Sequence, residues 1–407
     1  MTTLQLPLDG LLRKALGLSL RKISYFILLL NVLGLGAHAE TKPPVLIGID
    51  AEFGLLGSQS AQSIEIGAQA AVHEINAAGG VLGGRPLKII TKDNRSIPAR
   101  GVENLKELVQ LPDCVAVLGG RYSPVVLEQI PLIQSEHIPF IAVWSAADAI
   151  IENSKTKNYV FRVSLRDSLA MPFMLDQAAA RGFKRVGILL INTAWGRSNY
   201  ADAEKYIQTH RDMKIVQSNW ISTVDTTMIE KYHGLVKAGA QVVILVANDE
   251  AATLINEMAA LPEKQRLPII SHWGITGGRF YQSTKSVLPN IDISVIQTFN
   301  FFKAPSEAQQ KFLASVNATS GMARIEEITS PNAAAHAYDA VHLIGLALQN
   351  AGSADRQKIR DSLEKITSYQ GLVKKYTPPF SPNQHEALSH KELLMTRFRA
   401  DGVLVPQ

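Results

Sequence analysis

The chain of 407 residues is 46% hydrophobic and 19% charged, with a formal net charge of +5. Its first 39 positions hold 4 of the 41 basic residues and 1 of the 36 acidic ones, leaving 37 basic against 35 acidic beyond them. So even a balance excludes the electrostatic footprint of a nucleic-acid binder or of a coat on anionic membranes, while the length suits two ordinary domains with ample core.

The first segment reads as an export leader. Arg13, Lys14, Arg21 and Lys22 form a basic region, residues 23–36 an apolar run, and Ala37-His38-Ala39 a small-x-small cleavage pattern. The run is shorter than the roughly 20 residues needed to span a bilayer. Cleavage is therefore expected after Ala39, with an uncleaved anchor as the alternative, and the mature chain is expected to be periplasmic. No cysteine lies near the cleavage site, which argues against a lipoprotein. Cys114, the single cysteine, sits in an apolar run and reads as a small buried hydrophobe.

From residue 45, VLIGID reads as a buried first strand followed by the Gly-rich loop EFGLLGSQS. Ala61, Ile64, Ala68, Ala71, Val72 and Ile75 recur at helical spacing until Gly79-Gly80 stops the helix. Residues 87–90 make a second strand, and Ser96-Ile97-Pro98 starts a second helix. The stretch 114–150 then supplies two short apolar strands, 114–118 and 140–143, each ending in a loop of small and polar residues. Between them a helix opens at Ser123-Pro124, with Ser123 expected as its N-cap and Pro124 at N1. Such a unit sets two loops side by side at the carboxyl edge of a parallel sheet, where ligands bind in open α/β folds.

A fifth strand at 159–163 and a helix at 168–181 precede a second series. Strands are expected at 186–191, 215–218, 241–246 and 267–270, with NTAWGRSNY as the loop after the first and Asp225-Thr226-Thr227 as a helix cap. A strand at 293–299, helices at 305–319, 332–349 and 354–366, and two strands from residue 392 on complete the chain. Strands alternating with helices predict an α/β fold with parallel sheets, and two series of four or five strands predict two lobes.

The residues also carry a family resemblance. The segment GIDAEFGLLGSQSAQSIEIGAQAAVHEINAAGGVLGGRPLKIITKDN, then AVLGGRYSPVV, INTAWGRS and DTTMIEKYHGLVKAGAQVVIL, resembles type I periplasmic binding proteins of the leucine/isoleucine/valine class. That resemblance implies two Rossmann-like lobes joined by three crossovers, with a solute enclosed between them and handed to an ABC permease in the cytoplasmic membrane. It implies one lobe from 40–165 plus 300–372 and another from 166–299 plus 373–407. A monomer with no cofactor and no metal is expected.

Carried over position by position, the resemblance places Ser123 where the family holds a ligand carboxylate. Tyr122, Trp144, Ser145 and Ala146 fall in the first lobe's ligand loops, although the usual Thr is missing. Trp195 falls where the second lobe offers a closing Tyr, Asn248 and Asp249 cover the next loop, and Trp273 replaces a Glu that pairs with an α-ammonium. Tryptophan accepts no hydrogen bond, so either Asp249 or Glu250 takes over that role or the solute has no ammonium. Trp144, Trp195 and Trp273 suggest either packing of the lobe interface or an apolar box for a branched-chain-amino-acid-like or aromatic carboxylate or a quaternary ammonium, with Arg121 and Arg197 as further carboxylate partners. An enzyme is not expected, since G-x-G-x-x-G between strand and helix, a P-loop lysine and G-x-S-x-G are all missing. The alternative left open is a sensor subunit of the same fold that signals to a membrane receptor.

Overall fold

In the computed structural model, residues 42–153, 157–303 and 306–407 are described, so the expected leader lies outside the described residues. Among these residues no helix is long and apolar enough to cross a membrane. The first strand, β1 (Val45–Ala51), is buried along nearly its whole length. It lies between β2 (Leu87–Asp93) and β3 (Cys114–Gly119), parallel to both. With β4 (Phe140–Ala142) and β5 (Val160–Arg162) these make a five-stranded sheet in the order β2-β1-β3-β4-β5. Strands covered on both faces read as unbroken apolar runs, which is why VLIGID and CVAVLG stood out.

The helices α1 (Gln59–Ala77), α2 (Pro98–Gln110) and α3 (Ser123–Ser135) connect these strands. Helix α4 (Asp167–Ala180) then carries the chain into a second series. There β6 (Arg185–Ile191), α5 (Ala194–Thr209), β7 (Lys214–Ile221), α6 (Ile229–Lys237), β8 (Val242–Val246), α7 (Ala251–Ala259), β9 (Ile269–Ser271), α8 (Phe280–Thr284) and β10 (Ile293–Gln297) follow. The chain next returns to the first sheet as α9 (Glu307–Ser320), α10 (Pro331–Ala351) and α11 (Arg356–Leu363). Helix α10 lies directly along α1, and Gly67 permits it: a Cβ there would sit 2.0 Å from the Ala334 carbonyl oxygen.

After the hairpin β11 (Tyr369–Gln370) and β12 (Lys375–Tyr376), the tail still belongs with the first sheet. Arg162 exchanges backbone hydrogen bonds with His385 and Ala387, and its guanidinium pairs with Glu386 at 2.9 and 2.5 Å. The chain crosses a third time only before β13 (Leu394–Phe398), which runs antiparallel to β10 and is followed by β14 (Leu404–Pro406). The second sheet thus has the order β14-β13-β10-β9-β8-β6-β7. It is wider than the four or five strands expected, because the tail adds two. The backbone bonds of Arg162 with His385 and Ala387 keep the tail beside the first sheet beyond residue 373.

Three local expectations change. Tyr122, not Ser123, occupies the N-cap of α3, and no side chain caps that helix. NTAWGRSNY is mostly helix: Thr193 caps α5, and Trp195 sits in its first turn. Asp225 does not cap α6, whose N-cap is Met228; it accepts instead from Ser222 N at 2.8 Å and pairs with Lys231.

Candidate functional site

The loops at the carboxyl ends of the parallel strands of the two sheets meet, Trp144 against Trp273 and Ser60 against Gly277. On the five-stranded side Glu52 follows β1 and is fully buried. Its carboxylate accepts from Ser58 Oγ (3.0 Å), Ser60 Oγ (2.6 Å) and Arg121 N (3.2 Å). After β3 the side chain of Arg121 is only 3% exposed and lies 3.8 Å from Glu52. Its Nη2 donates to Tyr122 Oη at 2.8 Å, whereas Nε and Nη1 have no hydrogen-bond partner. Burial works against the guanidinium charge, but Tyr122, Glu52 and Asp249 hold its pKa above the ordinary arginine value. Burial also raises the Tyr122 phenol.

Ser123 and the loop after β4 lie side by side, as expected from their strands. Ser123 Oγ accepts from Ala147 N at 3.3 Å, and Ser145 Oγ donates to Gly120 O at 2.6 Å. Trp144, Ser145 and Ala146 are all buried. Arg162 Nη1 holds this loop from below through the carbonyls of Ser145 (3.2 Å) and Ala147 (3.0 Å).

On the seven-stranded side Trp195 donates to Asp167 Oδ1 at 3.1 Å and packs edge-on against His272. His272 Nδ1 accepts from Trp273 N at 2.9 Å, so the neutral ring carries its proton on Nε2, 3.4 Å from Asp167 Oδ1. Asp249 Oδ2 lies 4.0 Å from Arg121 Nη2, and its Oδ1 is buried without a partner. Glu250, offered above as an alternative to Asp249, instead accepts from Asn248 N at 2.9 Å; burial raises its pKa. Arg197 is exposed and bonded to Asn192, away from this group.

Several contacts join the two sides. Ser60 N donates to Gly277 O at 2.9 Å, and Asp148 N to Ser198 Oγ at 3.2 Å. A side chain at Gly277 would collide with Arg121, whose Nη1 stands 2.8 Å from where a Cβ would be, and would touch Trp144 at 3.2 Å. Trp144 and Trp273 meet with ring centroids 5.0 Å apart at 31°. Aromatic rings in direct contact have centroids about 4.5–7 Å apart, so these two touch each other and leave no space between them. Trp273 also packs on His336, whose ring bonds Val143 O and Thr298 Oγ1. Burial pulls the His336 pKa down to about 4, partly offset by the Val143 carbonyl, so the ring is neutral near pH 7.

Tyr122, Ser123, Trp144, Ser145, Ala146, Asp249 and Trp273 therefore gather along one interlobe surface, with Trp195 behind Trp273 in the second lobe. The buried charges Glu52 and Arg121 anchor its polar end. Glu52 was not singled out from sequence; its only signal is an acid directly after a buried strand. A separate cavity of about 140 Å³ opens beside the crossovers, near Thr276, Tyr281, Asn300 and Leu404, and none of the expected site residues lines it.

The sheet edges of the two lobes thus meet over a buried charge pair and a pair of tryptophans. The chain belongs to the periplasmic binding protein family, whose model matches residues 49–397. Its fold is that of type I periplasmic binding proteins. The Bordetella pertussis periplasmic binding protein type 1 superposes with a TM-score of 0.79 at 20% identity, covering 89% of this chain and 100% of that one. A branched-chain amino acid transporter substrate-binding protein from Streptococcus pneumoniae, solved with isoleucine, gives 0.73 at 21% identity over 89% of this chain and 100% of its own. An ABC transporter solute-binding protein from R. palustris, solved with 4-hydroxybenzoate, gives 0.74 at 17% identity over 89% and 95%. Among curated proteins no match is found. At these identities the structural likenesses establish the fold alone.

Proposed function

We propose that this chain is the periplasmic solute-binding component of an ABC importer, and that it captures a small organic carboxylate by closure of the two lobes. The observation that carries this reading is the Arg121 guanidinium, buried with Nε and Nη1 unpartnered. A buried donor without an acceptor costs about 1–3 kcal/mol, and a ligand carboxylate at the cleft removes that cost. Ser123 Oγ, which accepts from Ala147 N, keeps its own hydrogen for the same carboxylate. The organic body of the solute then lies along Tyr122 and the Trp144–Trp273 pair, with Ser145 and Ala146 as the floor.

The charges at the polar end bear on the solute's second group. Arg121 stands against two acids, Glu52 and Asp249, and Asp249 Oδ1 is an acceptor awaiting a donor. A solute that adds only a carboxylate leaves three acids around one cation. One that also carries a cationic nitrogen adds no net charge and keeps the excess at one acid, with the nitrogen on Asp249. The solved relatives mentioned above were crystallised with both kinds of solute, isoleucine and 4-hydroxybenzoate.

The test is a thermal-shift screen of the mature protein with matched acids that do and do not carry an α-ammonium. Bulky or aromatic amino acids are expected to raise the melting temperature most, their deaminated analogues less, and uncharged analogues not at all. A preference for uncharged solutes would refute the carboxylate reading. A preference for glycine- or serine-sized zwitterions would refute the aromatic wall.

A further inference from the structure

Of the contacts that join the lobes, one brings like charges together. The 3-10 turn Asp148–Ile150, beyond β4, meets helix α5 of the other lobe. Asp148 N donates to Ser198 Oγ at 3.2 Å, and one helical turn further on Asp202 lies near enough to Asp148 for the second acid to raise its pKa. Asp202 is 3% exposed, and its Oδ2 is buried with no donor when both acids are ionised. Two ionised carboxylates brought together have only acceptors to offer each other, so their approach is favoured by a proton.

The surroundings do not neutralise the pair. Asp202 Oδ1 lies 3.2 Å from Lys205 Nζ, which is largely exposed. Asp148 Oδ1 accepts from Ser168 Oγ (3.0 Å), Ser168 N (3.3 Å) and Arg166 Nε (3.3 Å). Arg166 is shared with Glu152 at 3.0 Å and Glu386 at 4.0 Å. Arg162, also charged toward Asp148 and Asp167, is already matched by Glu386. Three cations thus face Asp148, Asp202, Glu152, Asp167 and Glu386, an excess of acid on the closed interface.

We propose that a proton shared between Asp148 and Asp202 latches the two lobes together, and that its loss on raising the pH drives them apart, so that solute capture is pH-dependent. The sense of the effect follows from linkage. Burial and the neighbouring Asp148 push the Asp202 pKa up to about 7 in the closed form, from an ordinary value of 3.8. Separation returns the carboxyl to water, so the closed form binds the extra proton and closure is favoured as the pH falls below about 7. Above that value the latch is lost. One linked proton changes the closed-to-open ratio by at most about tenfold per pH unit across the window between the two pKa values. The effect is independent of which solute binds, because neither acid belongs to the Arg121 end of the cleft.

The experiment measures the lobe separation directly, without added solute. Lys106→Cys on α2 and Lys237→Cys on α6, both exposed, carry spin labels, while buried Cys114, its thiol pushed up to about 11 by burial, stays unlabelled. Double electron–electron resonance from pH 5 to 8.5 is expected to show a short distance at low pH and a growing longer one, with a midpoint near 7. In Asp202→Asn the amide donates to Asp148 with no proton to lose, so the short distance should persist to pH 8.5. Asp148→Asn should behave alike and serves if the first variant does not fold. A wild-type distribution that ignores pH, or an Asn variant that opens with the wild-type midpoint, would overturn the latch.

Discussion

Replacing Glu386 by Ala isolates a single buried charge and shows what holds the tail to the first lobe. Arg162 is fully buried and Glu386 is 7% exposed, so neither is screened by water. Two hydrogen bonds of 2.9 and 2.5 Å join them, and the backbone bonds of Arg162 to His385 and Ala387 survive the substitution. What is lost is the counter-charge and its two hydrogen bonds to the guanidinium. An exposed pair contributes at most about 1 kcal/mol, whereas stripping one partner from a buried pair costs about 3–5 kcal/mol. The higher range applies here, because the guanidinium would keep only the carbonyls of Ser145 and Ala147. Guanidinium titration of the mature protein should show a lower midpoint at unchanged slope. Amide exchange in the loop after β4 should quicken, since Arg162 steadies it. Replacing the pair together (Arg162→Met with Glu386→Leu) should recover most of the loss, as apolar substitutes for buried pairs often do. A single variant that loses less than about 1 kcal/mol, or a double variant no better than the single, would refute the reasoning.

Arg121→Met should weaken the best carboxylate of the solute screen by roughly ten- to a hundredfold in calorimetry, the equivalent of about 1.5–3 kcal/mol for a hydrogen bond to a charged group. Its unfolding midpoint should fall far less than that of Glu386→Ala, because the guanidinium's ion pairs are long, 3.8 and 4.0 Å, its one side-chain hydrogen bond goes to Tyr122, and Glu52 keeps Ser58, Ser60 and the residue-121 amide; a large stability loss with binding intact would reverse the assignment. Ser123→Ala should weaken the same carboxylate by at least about 1 kcal/mol, and unchanged affinity would remove Ser123 from the site. Glu74, tied to Tyr338, Ser315, Lys311 and His342, has a pKa lowered to about 2: burial opposes the shift, and His342, Lys311 and Tyr338 overcome it. Its contribution is complete above the ordinary value of 4.5 and is lost as the pH falls toward 2. The unfolding midpoint should therefore decline less steeply over that window in Glu74→Gln than in the wild type, and equal slopes would contradict the argument.

The parts of the fold legible in the sequence were those with local causes. Continuous apolar runs such as VLIGID are the mark of strands covered on both faces. The spacing from Ala61 to Val72 matched a buried helical stripe, and Gly79 and Gly80 take the positive φ angles of 101° and 74° that end it. Distance in sequence hid the rest. Nothing near Arg162 announces a partner 224 residues away, nor does the tail announce that it first serves one sheet and then extends the other. Ser123-Pro124 has the composition of a cap, but the adjacent Ala147 amide draws the hydroxyl across to the next loop. At the site, residue types suggested aromatic and polar contacts on loops, whereas Ser123 and Trp195 stand in the first turns of helices. That two tryptophans would pack on each other, and that Arg121 would be the side chain left with unmet donors, depends on how the two halves meet. No local pattern encodes that.

The interleaving of the chain has a consequence for how the molecule is made. The cover of the first sheet, α9 to α11, is synthesised only after the whole second series, and β10 waits for β13 about a hundred residues further on. Neither half is therefore complete as a contiguous stretch, and each must hold an unfinished apolar face while the other is being produced. Contacts so far apart are slow to form, so each half depends for its completion on segments that emerge late.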